Sequence, residues 1–257
     1  MISAHEYGAR RGRVGATMSE LFSDVLALGV DYVEFDVQRT LDGVFVVMHD
    51  HHVEVAGELR PLAKMTAAEL CQAAPELMTY DEALHRVRGH AKAHLDLKFG
   101  SPRKVYAGPD SATWEVQATA RAVELLGPDQ FVVTTGRERG VAAIRHWADS
   151  TYPDLVVGLS LGRSRAGQPL ARQLAGRWSE LFPGRRIEAC GANLIVANRW
   201  LAKFGVARLA ARIGLPLLVW TVDDRRGLRR WLSDPRCWLV TTNNVRDAVR
   251  IRDGYRD

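Results

Sequence analysis

Asp31-Tyr-Val-Glu34-Phe-Asp36-Val37, followed after a turn by Val44-Phe-Val-Val-Met-His49-Asp50, is the stretch from which the rest of the chain can be read. Side chains alternate across a strand, so Glu34 and Asp36 share one face while Val33, Phe35 and Val37 share the other. Two carboxylates on one face make either a metal ledge or the charged side of an exposed edge. Asp42-Gly43 between the two apolar runs is a type I′ hairpin signal that folds the second run back on the first. If residues 41 and 44 flank that turn, residue 36 lies opposite residue 49. The hairpin then brings an imidazole to a pair of carboxylates, an arrangement for metal-assisted acid–base chemistry. A slip of the hairpin would make His51 the competitor of His49.

Working outward, short β-rich runs alternate with longer amphipathic ones. Strands are expected at about 2–4, 31–37, 92–97, 130–134, 155–160, 193–196, 216–221 and 238–241. Helical patterns fall between them, from Met18 to a stop at Gly29, from Ser111 to a stop at Gly127-Pro128, and at 137–149, 168–182, 198–213 and 224–233. Residues 50–80 are expected to hold a surface loop and a short helix. Strands separated by helices imply parallel pairing with right-handed crossovers, and eight strands are the number that closes a barrel. Gly8, Gly12 and Gly15 lack the GxGxxG spacing of a dinucleotide fold. The expected architecture is therefore an α/β chain folded as one (β/α)8 barrel over residues 1–257, with a β-hairpin extension after strand 2.

Composition excludes several classes. An apolar fraction of 47% with 25% charged residues is that of a globular protein, and no run approaches the roughly 18 apolar residues of a membrane span. The net charge of +5 comes from scattered arginines, grouped only at Arg10-Arg11-Gly-Arg13, Arg163-Ser-Arg165 and Arg225-Arg226. No basic face with interleaved aromatics emerges, so nucleic acid is not the expected partner, while a phosphate-bearing small molecule suits the balance. Cys71, Cys190 and Cys237 are far apart and form no CxxC, which speaks against disulfide or zinc frameworks. With no signal-peptide pattern at Met1-Ile-Ser-Ala-His5, a cytoplasmic setting is expected.

In a (β/α)8 barrel, reacting groups gather where the strands end. His5 ends strand 1, Glu34 and Asp36 end strand 2, Asp96 and Lys98 end strand 3, and Trp220 ends strand 7. His85, His90, His94 and His146 read as structural.

The order His5…Glu34-x-Asp36…His49-Asp50…Asp96-x-Lys98…Trp220-Thr-Val resembles the glycerophosphodiester phosphodiesterase family. The most specific part is Leu28 to Asp50; Gly214 to Asp224 and Val240-Thr-Thr-Asn-Asn244 also look like the family's last two strands. The resemblance implies a metal-dependent barrel that cleaves glycerophosphodiesters to an alcohol and glycerol 3-phosphate, with a glycerophosphodiester or a lysophospholipid as the expected small-molecule substrate. It implies that Glu34, Asp36 and Asp96 bind Mg²⁺ or Ca²⁺, since oxygen ligands suit hard cations. His5 and His49 would be the acid–base pair, Lys98 would neutralise phosphoryl charge, and Trp220 would wall the pocket.

This chain departs from the family at identifiable places. The first histidine is normally followed by Arg-Gly, but here the run is His5-Glu6-Tyr7-Gly8. A carboxylate about 4 Å from a phosphodiester repels it by roughly 1–4 kcal/mol. Glu6 therefore points elsewhere, joins the metal shell, or signals an altered function, and Arg10, Arg11 or Arg13 are candidate replacement cations. The family's Pro-Glu-Asn-Thr is replaced by about Gly15-Ala-Thr-Met18, which removes a carboxylate that Glu6 could supply. Asn243 stands where the family often has Asp. Asp96-x-Lys98 resembles the sphingomyelinase D-type phospholipases, which form cyclic phosphates. A cyclic-phosphate-forming lyase and a barrel that binds phosphodiesters without turnover are the alternatives.

Overall fold

The structure, a computed structural model, describes residues 1–7, 17–162, 179–180 and 182–254. Arg10, Arg11, Arg13, Arg163, Arg165 and nearly all of the helix expected at 168–182 lie outside the described residues.

Strand order follows from the alternation read in the sequence. β1 (Ile2–Ala4), β2 (Tyr32–Arg39), β7 (Lys92–Leu97), β8 (Phe131–Thr135), β9 (Val156–Leu161), β10 (Leu194–Asn198), β11 (Leu217–Trp220) and β12 (Leu239–Thr242) pair in parallel, and β1 closes the sheet by pairing with both β12 and β2. This is the expected eight-stranded barrel, with each strand's ends within two residues of expectation. Between β2 and β7 the chain inserts β3 (Phe45–Val47), β4 (His52–Val55), β5 (Glu58–Pro61), α2 (Ala67–Ala73) and β6 (Met78–Thr79). Residues 50–80 are thus more ordered than a loop and short helix: β4 and β5 form their own hairpin, and β6 extends the sheet beyond β3.

Three helix starts use the same device. Thr17, Thr66 and Thr79 each cap a helix whose third residue, Glu20, Glu69 or Glu82, reaches back to the cap. These capping boxes satisfy backbone donors that a helix start leaves orphaned and fix where α1 (Met18–Leu26), α2 and α3 (Tyr80–Val87) begin. The outer faces of the strands then meet the helices: Phe35 on β2 packs against Phe22 of α1 and Tyr80 of α3, and all three are fully buried. Among the described residues no helix is long and apolar enough to cross a membrane.

Inside the barrel the side chains change character with height. Tyr32, Val132, Leu194, Val196, Leu218 and Leu239 form an apolar plug toward the strand starts, separate from the outer core. Gly158 makes room for it, since a Cβ there would lie 2.7 Å from Val196 Cγ2. Above the plug the inward positions turn polar, which places the reactive groups at the strand ends with a dry floor beneath them.

The hairpin corrects one expectation. Val37 pairs with Val47 and Gln38 with Val46, so residue 36 lies opposite residue 48, one short of His49. The turn has three residues rather than two. Thr40 N–H donates to the Val44 carbonyl, and Gly43 takes the left-handed conformation (φ 95°) that a three-residue hairpin loop requires. Thr40 Oγ1 holds Asp42 at 2.6 Å and accepts from the Val44 N–H, contacts that favour the longer loop.

Candidate active site

The site is assembled from four neighbouring strands in register. Glu34 pairs with His94 and Asp36 with Asp96 across β2 and β7, while Asp96 pairs with Thr134 of β8. Like charges directly opposite on adjacent strands repel. Lys98 relieves the upper pair, its ammonium lying 2.7 Å from Asp36 Oδ1 and 2.5 Å from Asp96 Oδ2.

The carboxylates remain under-compensated. Burial, and then the neighbouring Asp36, push the Glu34 carboxyl well above the usual range, and burial raises Asp36 as well. Asp36 is 2% exposed, and beyond the Lys98 ion pair neither of its oxygens accepts a hydrogen bond of ordinary geometry from the described residues. Glu34, Asp36 and Asp96 offer oxygen atoms that all lie within 4.8 Å of one another. Buried, converging oxygen donors with excess negative charge fit a hard divalent cation. A second set, Glu6, Asp36 and His49, meets the same spacing and shares Asp36 with the first.

His5 follows directly on β1, and its ring orientation is set from behind. Asn243 donates from Nδ2 to Asp223 Oδ2 at 2.8 Å and from its backbone N–H to Asp223 Oδ1 at 2.8 Å. That leaves Asn243 Oδ1 to accept from His5 Nδ1–H at 3.0 Å, and assigns the other ring nitrogen, Nε2, the lone pair. Nε2 faces inward, 4.0 Å from Glu34 Oε2. The Asn at this position therefore keeps the contact that an Asp would make, with Asp223 supplying the fixed charge behind it.

His49 reaches the site despite the shifted register. The ladder ends after Met48 N–H donates to the Asp36 carbonyl, and Gln38 Nε2 then donates to the carbonyls of Met48, His49 and Asp50 at 3.1, 3.3 and 2.7 Å. Gln38 is 4% exposed and clasps the loop like a bracket. Its position two residues past Asp36, on the same face, was the sequence signal for this role. His49 Nδ1–H donates to Asp50 Oδ1 at 2.8 Å, and Nε2 lies 3.6 Å from Glu6 Oε1. His51 is taken up by Gln38 Oε1 at 3.0 Å, alongside the site.

Glu6 points into the site. Glu6 and Tyr7 have left-handed φ values of 48° and 43°, uncommon for residues with side chains. The Glu6 N–H donates to Glu34 Oε2 at 2.7 Å, and Oε1 lies 3.6 Å from both His5 Nδ1 and His49 Nε2. Its carboxylate thus stands between the two histidines.

These groups border a cavity of about 470 Å³, of ordinary size for a small-molecule site. His5, Glu34, His49, Asp96, Lys98 and Trp220 all line it, so six of the eight residues singled out in the sequence share one surface; Asp36 lies beneath it and Glu6 beside it. His94 also lines it. Buried between Ser3 Oγ and Thr134 Oγ1 at 3.2 Å each, its imidazole is held down to a pKa of about 4, chiefly by desolvation, and stays neutral. On the far wall Trp220 Nε1 and Thr241 Oγ1 are shielded from solvent and have no hydrogen-bond partner among the described residues.

Comparison with known proteins identifies the family and the fold. Residues 17–246 match the model of the glycerophosphoryl diester phosphodiesterase family. A glycerophosphocholine phosphodiesterase of Eremothecium gossypii is 33% identical over 78 residues, 30% of this chain and 6% of that much longer protein. A Silicibacter pomeroyi structure described as a glycerophosphoryl diester phosphodiesterase superposes with a TM-score of 0.74 at 23% identity, over 99% of this chain and 93% of its own. An Oleispira antarctica phosphodiesterase, solved with the product sn-glycerol-3-phosphate, superposes at 0.68 with 17% identity, over 98% and 96%. With the family model spanning nearly its whole length, the chain belongs to the glycerophosphoryl diester phosphodiesterase family.

Proposed function

We propose that the protein hydrolyses glycerophosphodiesters to an alcohol and glycerol 3-phosphate, with His5 and His49 as the acid–base pair and a divalent cation, Mg²⁺ or Ca²⁺, on Glu34, Asp36 and Asp96. The observation that carries this reading is the pair of imidazoles 3.6 Å from one carboxylate, at the edge of a cavity where the oxygens of Glu34, Asp36 and Asp96 converge within 4.8 Å, the first two of them buried. The product bound to the Oleispira protein is a phosphate ester of the expected size.

His5 Nε2, its lone pair exposed by the Asn243 contact, accepts the proton of the glycerol 2-hydroxyl as that oxygen attacks phosphorus. The bond from phosphorus to the alcohol breaks, and protonated His49 gives its proton to the departing alkoxide. His49 suits this side of the reaction because its side chain is 45% exposed, at the mouth where the alcohol leaves. The cyclic ester then opens by the reverse exchange, with water as nucleophile. Lys98 opposes the growing charge on the phosphoryl oxygens. Glu6 steadies whichever imidazole is protonated and disfavours a doubly charged phosphomonoester, which suits a diester substrate. A bound cation would supply further charge stabilisation to the same oxygens.

Phosphorus NMR of the products from glycerophosphocholine tests the reading. Glycerol 3-phosphate as the end product is expected; a cyclic ester that accumulates and persists would assign the protein to the lyase class instead.

A further inference from the structure

The segment after β10 carries a surface that the reaction does not use. Residues 199–213 form two helical pieces, one beginning at Arg199–Leu201 and the other closing at Ala207–Ile213, separated by a kink at Gly205. Trp200 and Phe204 are 54% and 69% exposed, unusual for side chains of that size. They stand four residues apart, and Lys203 lies over the Trp200 ring at 5.8 Å, with Arg199 over the same ring at 5.1 Å. From 199 to 214 the chain has four cations, Arg199, Lys203, Arg208 and Arg212, and no acidic residue. Asp224 offsets one of them by pairing with Arg199 at 2.9 Å.

The position is as informative as the composition. Asn198 ends β10 opposite Trp220 of β11, so the helix starts at the level of the cavity mouth. Gly205, with φ 146°, kinks the chain directly after Phe204 and separates the aromatic-bearing start from the closing helix. Exposed aromatics flanked by lysine and arginine on a helix without acids are the chemistry of an interface with an anionic bilayer.

We propose that the start of this rim helix docks the barrel, mouth toward the lipid, on an anionic phospholipid surface, with Trp200 and Phe204 entering the headgroup region and Lys203 between them drawn to the negative charge. The proposal stands apart from the phosphodiesterase reading because its test reads binding and not turnover.

The test is co-sedimentation of the intact protein with phosphatidylcholine vesicles, with and without about 30% phosphatidylglycerol, at two salt concentrations. Binding to the anionic vesicles is expected, at least about tenfold weaker on the zwitterionic ones and weakened by salt. Lys203→Glu and the pair Trp200→Ala with Phe204→Ala should each lower it by about tenfold or more, while Arg88→Glu, the same charge change at the opposite end of the barrel, leaves it intact. Thermal melts confirm that the variants fold, as expected for exposed positions. No binding to anionic vesicles, equal binding to both kinds, or wild-type binding by the aromatic pair variant would each overturn the proposal, the last pointing to another face.

Discussion

The two halves of the barrel interior differ in kind. On the side built by β1, β2, β7 and β8 the inward positions are His5, Glu34, Asp36, His94, Asp96, Lys98 and Thr134, stacked in register so that charges meet across strands. On the side built by β9 to β12 they are Gly158, Ser160, Val196, Leu218, Trp220 and Thr241, with no ionisable group among them. Charge on one wall alone gives a substrate a direction. On the proposed reading the phosphate and its countercharge sit on the first wall and the organic remainder against the second, where Trp220 Nε1 and Thr241 Oγ1 have no partner among the described residues.

Removing the imidazole on the charged wall should have the largest effect. His5→Ala is expected to lower kcat/KM by about 10²–10⁴, whereas Val196→Ala on the opposite wall should change it by less than about tenfold. Steady-state kinetics on the same diester decide; similar losses from both would remove the distinction between the walls.

The buried acids should reveal themselves through stability. A saturating divalent cation, at about a hundred times its Kd, should stabilise the wild type by about 3 kcal/mol, and Asp36→Asn should lose that gain in thermal or denaturant melts. Glu34 and Asp36 have raised folded pKa values, so without cation their contribution is present at low pH and lost as pH rises through those values. In EDTA at neutral pH, Asp36→Asn should accordingly be no less stable than the wild type. A clear destabilisation there would show the ion pair with Lys98 already compensates the charge.

His94 has the opposite sign. Its folded pKa of about 4 lies below the unfolded value of 6.5, so its contribution is complete above pH 6.5 and drains away as pH falls toward 4. Relative to His94→Asn, the wild type should lose about 3 kcal/mol over that window, measured by denaturant melts in EDTA. Parallel pH profiles of the two proteins would contradict a neutral, buried imidazole.

The smallest effect is expected on the uncharged wall. Trp220→Phe keeps the ring and removes the donor, which should raise KM about fivefold, the worth of one hydrogen bond of about 1 kcal/mol, with kcat nearly unchanged.

The strands and the charged wall were legible in the sequence because both rest on period-2 alternation, as in Glu34-x-Asp36 and Asp96-x-Lys98. The hairpin register was not, since Asp42-Gly43 suits a two-residue turn as well as the three-residue loop that Thr40 closes. That one-residue difference would have misplaced His49, had Gln38 not drawn the loop back. Asp223 escaped notice because it acts by holding Asn243, twenty residues on, which in turn orients His5 across 238 residues, a link that no local pattern encodes; Gln38 was missed although its place two residues past Asp36 marked the face, and His94, read as structural, lines the cavity. The three Thr-x-x-Glu caps mark helix starts without tertiary information, a local pattern the sequence carries but the expected helices did not draw on.

The most direct test of the central claim is release of glycerol 3-phosphate from glycerophosphocholine and glycerophosphoethanolamine, with EDTA, Mg²⁺ and Ca²⁺ in parallel and His49→Ala as the blank. Release that needs a cation and vanishes in the variant is the predicted result. Release that persists in EDTA, or in His49→Ala, would contradict the assignment of the charged wall as the catalytic one.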